Sequence, residues 1–254
     1  MKIIISPAKK MNVVADILPY EKLPVLIEKT EILKQKLQIL SRSELKTLLM
    51  CNEQIASLNY ERYQRMNLQR GLSPAILSYE GIQYRYMAPI VFTDQELIYI
   101  QKHLRILSGF YGILKPMDGV VPYRLEMQAK LSVEGTKNLY EYWGKTIYDT
   151  LIEEDGDKET VIINLASKEY SKIIESYLTP DIRYINCIFG KMVDKKIKTS
   201  GTYAKMARGE MVRFMAENQI TESNDWKRLC KFDRLGYRFE NALSSENRLV
   251  FLQP

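Results

Sequence analysis

The sequence predicts a mixed α/β protein in which helices dominate the first third and strands alternate with helices afterwards. Three observations support this class. The run KIII at 2–5 is continuously apolar after its lysine, as in a buried strand. Residues 24–70 repeat apolar side chains at three- and four-residue spacing, which is typical of amphipathic helices. Beyond residue 160, the apolar runs VIINL and YINCIF are separated by helical patterns.

The predicted elements of the N-terminal half begin with the strand KIIIS, and a turn starts at Ser6-Pro7. Two or three helices follow in 24–70, where Ser41 and Glu44 have the spacing of a capping box. After the break at LSPAIL, Thr93 caps the next helix. Its apolar repeat continues through LIYIQKHLRIL, so we predict that this helix ends near Ser108-Gly109.

The C-terminal half is predicted to start with a structured loop, GFYGILKPMDGVVPYRLEM, which contains at most one short strand or turn of helix. The predicted strands and helices that follow are TVIINLAS (strand), 168–177 (helix), RYINCIF and KMVDKKIKT (strands), TYAKMARGEMVRFMAENQ and DWKRLCKF (helices), and two strands within YRFENALSSENRLVFLQ. No repeat or linker interrupts the chain, so we predict a single domain over residues 1–254.

Composition excludes several classes of site. The chain has 254 residues, a net charge of +6 and only one histidine, His103, which rules out any metal site with two histidine ligands. We interpret His103 as structural because it borders an apolar helix face. The three cysteines are dispersed and form no CxxC pair, so we expect no metal and no cofactor. Neither a secretory signal nor a membrane span is recognisable, and we expect a reduced, cytoplasmic protein.

Basic residues are concentrated between positions 191 and 213, which hold seven bases and two acids. Such a cluster suits a surface that contacts phosphates. Lysines 195, 196 and 198 have an alternative interpretation as a solvated strand edge. In the following helix, Lys205 lies one turn before Arg208, and Gly209 indicates close approach by a ligand or by another element. A structural ion pair of Arg208 is equally compatible with this pattern.

Three further segments carry polar residues at positions where ligands are often bound. Gly109 and Gly112 could open a hairpin whose amides face phosphates, or Gly109 could simply cap a helix. On an extended segment, Arg124 and Glu126 point to the same side and could clamp a substrate or pair with other residues. In NLASKEY, which spans 164–170, Asn164 and Lys168 stand between a buried strand and a helix, where anions bind in α/β sheets.

Five segments together resemble the bacterial YaaA peroxide-stress family. They are ISPAK at 5–9, HLRILSGFYGILKPMDGVVPYRLEM at 103–127, NLYEYWG at 138–144, NLASKEY at 164–170 and YAKMARGEM at 203–211. The resemblance extends over essentially the whole chain. It implies one compact, cantaloupe-like α/β domain with a mixed sheet, surrounding helices and a helix-hairpin-helix-like element, for which we take 94–116. It also implies a cytoplasmic protein that binds DNA through a basic cleft and limits unincorporated iron under peroxide stress.

The resemblance also implies a set of residues in that cleft. The candidates for DNA or anion contact are Ser6, Lys9, Arg105, Arg124, Asn164, Lys168, Lys205 and Arg208. Gly109 and Gly112 are the candidate hairpin glycines, although their spacing differs from the Gly-x-Gly of the standard motif. We expect a monomer that contacts DNA phosphates with little sequence readout and has no membrane partner.

A second hypothesis belongs to a different class of protein. The same cleft could serve an enzyme that acts on a small anionic metabolite or nucleotide, with Glu126 and Lys168 as its catalytic residues. Glu126 would be the natural general base, because histidine is scarce. Direct iron sequestration has little support, since no close carboxylate cluster stands out.

Overall fold

The computed structural model describes residues 1–14, 17–153, 161–221 and 225–254. The α-helices are α1 (Ile27–Gln38), α2 (Arg42–Leu48), α3 (Glu53–Arg65), α4 (Ala75–Ser78), α5 (Ile82–Met87), α6 (Asp94–His103), α7 (Leu139–Trp143), α8 (Thr146–Glu153), α9 (Lys168–Glu175) and α10 (Gly201–Glu217). The strands are β1 (Lys2–Ile5), β2 (Lys10–Met11), β3 (Ser73–Pro74), β4 (Tyr79–Glu80), β5 (Leu104–Ser108), β6 (Gly112–Leu114), β7 (Gly119–Val120), β8 (Val161–Leu165), β9 (Arg183–Val193), β10 (Lys196–Lys198), β11 (Arg238–Phe239) and β12 (Arg248–Gln253).

A mixed sheet in the order β11-β12-β9-β8-β1-β5-β6 forms the centre of the fold, and β10 pairs with β9. The five strands from β12 to β5 are parallel to their neighbours, whereas β6, β10 and β11 are antiparallel to theirs. All residues of β1, β5 and β8 are buried, which explains their continuous apolar runs. The predicted mixed α/β class is confirmed.

Local signals located the N-terminal helices correctly. The apolar repeat in 24–70 forms α1, α2 and α3. Ser41 and Glu44 make the predicted capping box at α2, and Thr93 and Glu96 make a second one at α6. These contacts involve residues three positions apart, so the sequence alone could reveal them.

The predicted C-terminal end of helix α6 is wrong. The helix ends at His103, and residues 104–108 form β5, which pairs in parallel with β1. Strand β5 then turns back into antiparallel β6. The candidate helix-hairpin-helix-like element at 94–116 is therefore one helix followed by a β-hairpin. Pairing with β1 outweighs the helical periodicity of LRIL, because it places this segment inside the sheet. His103 is buried at the junction, where its Nδ1 lies 2.9 Å from the Met1 carbonyl oxygen.

Two predicted elements near the C-terminus also differ from the structure. The segment KMVDKKIKT is not one strand, because β9 continues to Val193 and returns as β10 after a turn at Asp194 and Lys195. Both turn residues adopt positive φ, as tight hairpins require. The predicted helix DWKRLCKF is a 3₁₀ helix over Asp225–Lys231. The two predicted closing strands are confirmed as the antiparallel pair β11 and β12.

Helix α10 packs closely against α5, α6 and β9. Its apolar face is buried as the periodicity predicts, with Ala207, Met211 and Met215 inaccessible to solvent. Gly209 explains the close approach of α5, since a Cβ atom built there would lie 2.2 Å from the Gln83 carbonyl oxygen. Gly209 therefore accommodates helix α5, which is the other element that the sequence analysis considered beside a ligand.

Asp118, which precedes β7, is a buried acid with one unpartnered oxygen. Its Oδ2 accepts a hydrogen bond from the Lys115 N–H at 2.8 Å, whereas Oδ1 has no partner. Burial raises the pKa of this carboxyl group to about 7, although Lys22, Lys115 and Arg105 partly offset the effect. The folded protein therefore binds this proton more tightly than the unfolded chain does.

We expect this acid to make the protein less stable as the pH rises from about 4 to about 7, by up to about 1.4 kcal/mol per pH unit. Below that range, folded and unfolded chains both hold the proton; above it, both have lost it. Asp118→Asn should remove this contribution, because the amide does not titrate. Urea unfolding of both proteins between pH 5 and pH 8 measures the difference. Parallel pH profiles would contradict the assignment.

A candidate anion-binding cleft

The carboxyl ends of β1 and β8 meet at a topological switch point. After β1 the chain continues in the sheet to β5 on one side, and after β8 it continues to β9 on the other side. Open α/β sheets bind ligands in the crevice that such a reversal creates. Ser6 follows β1 and Ser167 follows β8. The Ser167 N–H donates to the Ser6 hydroxyl oxygen at 2.8 Å, and the Ser6 hydroxyl donates to the Ser167 hydroxyl oxygen at 3.2 Å.

A cleft of about 390 Å³ opens beside these serines. It is formed by the loop after β1, the β4–α5 segment, residues 123–126, the N-terminus of α9 and one face of α10. The polar and aromatic side chains lining it are those of Ser6, Lys9, Lys10, Glu80, Gln83, Tyr84, Tyr123, Arg124, Glu126, Ser167, Glu169, Tyr170, Lys205 and Arg208. The volume is that of a small-molecule site, for which roughly 300–1,000 Å³ is usual.

Glu126 is the centre of an ion-pair group at one border of the cleft. Its Oε1 lies 3.0 Å from the Lys9 Nζ and 3.0 Å from the Arg124 guanidinium. The side chains of Arg124 and Glu126 are only 12% and 10% exposed, so this pair is poorly screened by water. The second oxygen, Oε2, is buried and has no hydrogen-bond partner. Glu126 therefore retains one free acceptor in a cationic setting.

Arg208 lies at another border of the cleft and also lines a neighbouring cavity of about 610 Å³. It is half-buried, and its Nε has no hydrogen-bond partner in the part of the chain that the structure describes. Burial lowers the pKa of this guanidinium. The structural ion pair considered for Arg208 is not formed with any described residue. An uncompensated guanidinium in a cleft makes Arg208 a candidate anion-binding residue.

Tyrosines form much of the remaining wall. The Tyr84 hydroxyl donates to the Ser6 carbonyl oxygen at 3.0 Å, which fixes the loop after β1. The Tyr123 hydroxyl lies 2.5 Å from the Ser108 Oγ and 2.7 Å from the Tyr79 hydroxyl. Burial raises the pKa of Tyr123 to about 12, so it is neutral at physiological pH. These rings give the cleft apolar faces with fixed polar edges.

The structure brings most of the predicted site residues together. Ser6, Lys9, Arg124, Lys205 and Arg208 line the cleft, as does the alternative catalytic candidate Glu126. Asn164 and Lys168 line the adjacent cavity, which shares Arg208 with the cleft. The Asn164 amide donates to the Asn186 amide oxygen at 2.8 Å. Lys168 is largely exposed and paired with Glu175, so the two catalytic candidates do not meet.

Arg105 does not join this group. It is 2% exposed on β5, and its guanidinium donates to the carbonyl oxygens of Leu104 and Gln101 at 2.6 and 3.2 Å. It lines a separate cavity of about 50 Å³ beside Asp118. The resemblance placed Arg105 in the cleft, and the sheet buries it elsewhere.

The two hairpin glycines have a packing role in the structure. Residues 109–112 are buried, and the N–H groups of Phe110 and Tyr111 donate to the Ser108 Oγ. These amides therefore do not face a surface where phosphate could bind. A Cβ atom at Gly109 would lie 2.5 Å from the Leu125 carbonyl oxygen. Gly109 thus allows the hairpin to support the segment that carries Glu126.

The basic cluster predicted between 191 and 213 divides into two parts. Lys195, Lys196 and Lys198 are exposed on the β9–β10 hairpin and do not line the cleft, which fits their interpretation as a solvated strand edge. Only Lys205 and Arg208, on α10, face the cleft. Sequence reasoning missed Gln83 and Glu169. Glu169 lies inside the NLASKEY segment at 164–170, so the resemblance could have indicated it. Nothing in the local sequence marks Gln83 as a site residue.

The fold and the cleft define an α/β protein with a candidate anion-binding site at a switch point of its sheet. The family described as Peroxide stress protein YaaA matches residues 1–243, and the chain belongs to this family. It is 57% identical over 253 residues to a UPF0246 protein of Desulfitobacterium hafniense, covering 100% of this chain and 98% of the relative. A UPF0246 protein of Agathobacter rectalis is 55% identical over 251 residues, with 99% and 98% coverage. The suspected family is confirmed.

The described residues also bear on metal binding and on membrane insertion. Among these residues, no group of three or more His, Cys, Asp and Glu side chains is placed to hold a metal ion. None of the helices that the structure describes is long and apolar enough to cross a membrane.

Proposed function

We propose that this member of the peroxide stress family binds DNA through phosphate contacts at the cleft, with little sequence readout. We further propose that it acts as a cytoplasmic monomer and limits unincorporated iron, which protects DNA and protein from oxidative damage. The observation that carries the DNA proposal is the unpartnered guanidinium of Arg208, one helical turn from the exposed Lys205. A phosphate oxygen is the natural partner for such a guanidinium.

The charge pattern around the cleft supports a phosphate ligand. Lys10 is paired with Glu80 at 2.7 Å, and Lys9 and Arg124 are paired with Glu126. Lys205 and Arg208 therefore supply the cationic charge that no described carboxylate neutralises. The N-terminus of α9 adds a partial positive charge. A DNA backbone that lies along the border of the cleft would contact Lys205, Arg208 and the N-terminus of α9.

The experiment for this proposal is a titration of a fluorescent DNA duplex with the protein at several salt concentrations. Phosphate contacts release counterions, so log K should fall linearly with log salt, with a slope of about −0.9 for each phosphate contact. Two duplexes of unrelated sequence should give similar slopes. Binding that does not depend on salt would contradict phosphate recognition.

The alternative, an enzyme acting on a small anionic metabolite, is favoured by one observation. The cleft has the volume of a small-molecule site, and three acids, Glu80, Glu126 and Glu169, line it. Burial, and to a smaller extent the charge of Glu126, raise the pKa of Glu169. Glu126, with its free Oε2, would act as the general base. This alternative predicts chemical conversion of a small anion, which DNA binding alone does not.

A further inference from the structure

Unpartnered polar atoms are concentrated in one cleft. Several buried side-chain nitrogen and oxygen atoms in the described part of the chain have no hydrogen-bond partner. Four of them belong to residues lining this cleft: Gln83 Nε2, Arg124 Nε, Glu126 Oε2 and Arg208 Nε. Each unsatisfied buried group costs about 1–3 kcal/mol. Their concentration at the switch point indicates that a ligand satisfies them.

These atoms describe the chemistry of that ligand. Arg208 requires an acceptor, and together with the N-terminus of α9 it suits an anion. Glu126 Oε2 requires a donor, and Gln83 Nε2 requires another acceptor. Gln83 and Glu126 are only 6% and 8% exposed, so the ligand groups that meet them must enter the cleft. The ligand therefore combines an anion with a group that both donates and accepts hydrogen bonds.

We propose that the cleft binds one nucleoside phosphate unit, with its phosphate at Arg208 and Ser167 and its base between tyrosine rings against Gln83 and Glu126. Amide and carboxylate side chains are the groups that read the polar edges of bases. Tyr84 and Tyr170 line the same cleft, so a base that enters it would contact their rings. The cleft volume of about 390 Å³ suits a single such unit.

The cavities beside the cleft leave room for the bound nucleotide to be part of a DNA strand. Arg208 borders the neighbouring cavity of about 610 Å³, and Lys9 and Glu126 border a third one of about 1090 Å³. The linings of these two outer cavities share no residue, so they adjoin the cleft at different borders. A strand could pass from one cavity to the other with one nucleotide in the cleft. A free nucleotide would present the same phosphate and base.

This inference rests on the phosphate contacts of the proposed function and adds recognition of the base. The experiment is isothermal titration with the four 2′-deoxynucleoside 5′-monophosphates and with inorganic phosphate. We expect at least one nucleotide to bind about 10-fold or more tightly than inorganic phosphate, since additional buried groups become satisfied. Nucleotides that bind no better than inorganic phosphate would overturn the inference.

Two variants test the base contacts. Glu126→Gln and Gln83→Met should each weaken nucleotide binding by about 10-fold, the cost of one lost buried hydrogen bond. Neither should weaken binding of inorganic phosphate. The matched control is Glu217→Gln, since Glu217 is likewise paired with two cationic side chains, here Arg213 and Arg234, but lies outside the cleft. If neither variant changes nucleotide affinity relative to this control, the proposed base site is wrong.

A short single-stranded DNA that contains only the preferred base shows whether the natural ligand is a DNA strand or a free nucleotide. Tighter binding of the strand than of the mononucleotide, with the same sensitivity to Glu126→Gln, supports the inference and identifies a strand as the source. Tighter binding of the mononucleotide supports it and identifies a free nucleotide. Salt-dependent duplex binding without any nucleotide binding overturns this inference and leaves the proposed function standing. If the protein binds neither duplex DNA nor nucleotides, both this inference and the proposed function are contradicted.

Discussion

Charge reversal of Lys205 and Arg208 together is expected to weaken DNA binding about 100-fold, because it removes two phosphate contacts and adds repulsion. Lys205 is exposed, and Arg208 has an unpartnered Nε, so neither substitution breaks an ion pair with a described residue. The slope of log K against log salt should become less negative by about 2, one for each lost phosphate contact. The loss should be equal for unrelated DNA sequences.

The matched control for this variant is Lys195→Glu with Lys196→Glu. It makes the same change in net charge on the exposed β9–β10 hairpin, away from the cleft. Fluorescence anisotropy with a labelled duplex measures affinity, and thermal unfolding verifies that both variants are folded. Equal losses in the two double variants would show that overall charge, and not the cleft, determines DNA binding.

The same pair of variants tests the proposed link to iron. In bacteria exposed to hydrogen peroxide, the cleft variant should leave more chelatable iron than the wild-type protein does, whereas the hairpin control should not. Electron paramagnetic resonance of the iron–chelator complex measures this pool. Normal iron control by a variant that no longer binds DNA would separate the two parts of the proposed function.

Gly209→Ala is expected to lower the free energy of unfolding by about 3 kcal/mol, the upper range for overpacking a close contact. In an exposed helix, the same substitution would raise stability by about 1 kcal/mol. The sign is reversed here because the new Cβ would lie 2.2 Å from the Gln83 carbonyl oxygen and 2.9 Å from the Met87 nitrogen. Both neighbours are backbone atoms of α5, so the two helices must separate.

Gly201→Ala is the matched control, since it lies at the start of the same helix and a Cβ there meets nothing within 4 Å. Its stability should stay close to that of the wild-type protein. Urea unfolding followed by circular dichroism measures both variants. A Gly209→Ala protein as stable as this control would show that α5 and α10 are not held at the observed distance. Because α5 carries Gln83, its displacement should also weaken any ligand contact made by that amide.

The predicted site shows where sequence reasoning succeeds and where it fails. Ser6 and Lys9 were found because they follow a recognisable strand and lie in a segment that resembles the family. Arg105 was placed in the cleft because it lies in a segment that resembles the family, and the pairing of β5 with β1 buries it elsewhere. Gln83 was missed because its position opposite α10 depends on contacts between segments more than 100 residues apart.

The sequence by itself determined the α/β class, the helical segment at 24–70, the capping box at Ser41, the N-cap at Thr93 and the family. These features depend on periodicity, on contacts within one helical turn, or on whole segments that resemble the family. Only the tertiary structure decided that residues 104–108 form a strand, that the hairpin glycines serve packing, and that Gln83, Glu126 and Arg208 line one cleft with unpartnered atoms. The reason is physical: burial and hydrogen-bond satisfaction depend on the complete surroundings of a side chain, which distant parts of the chain supply.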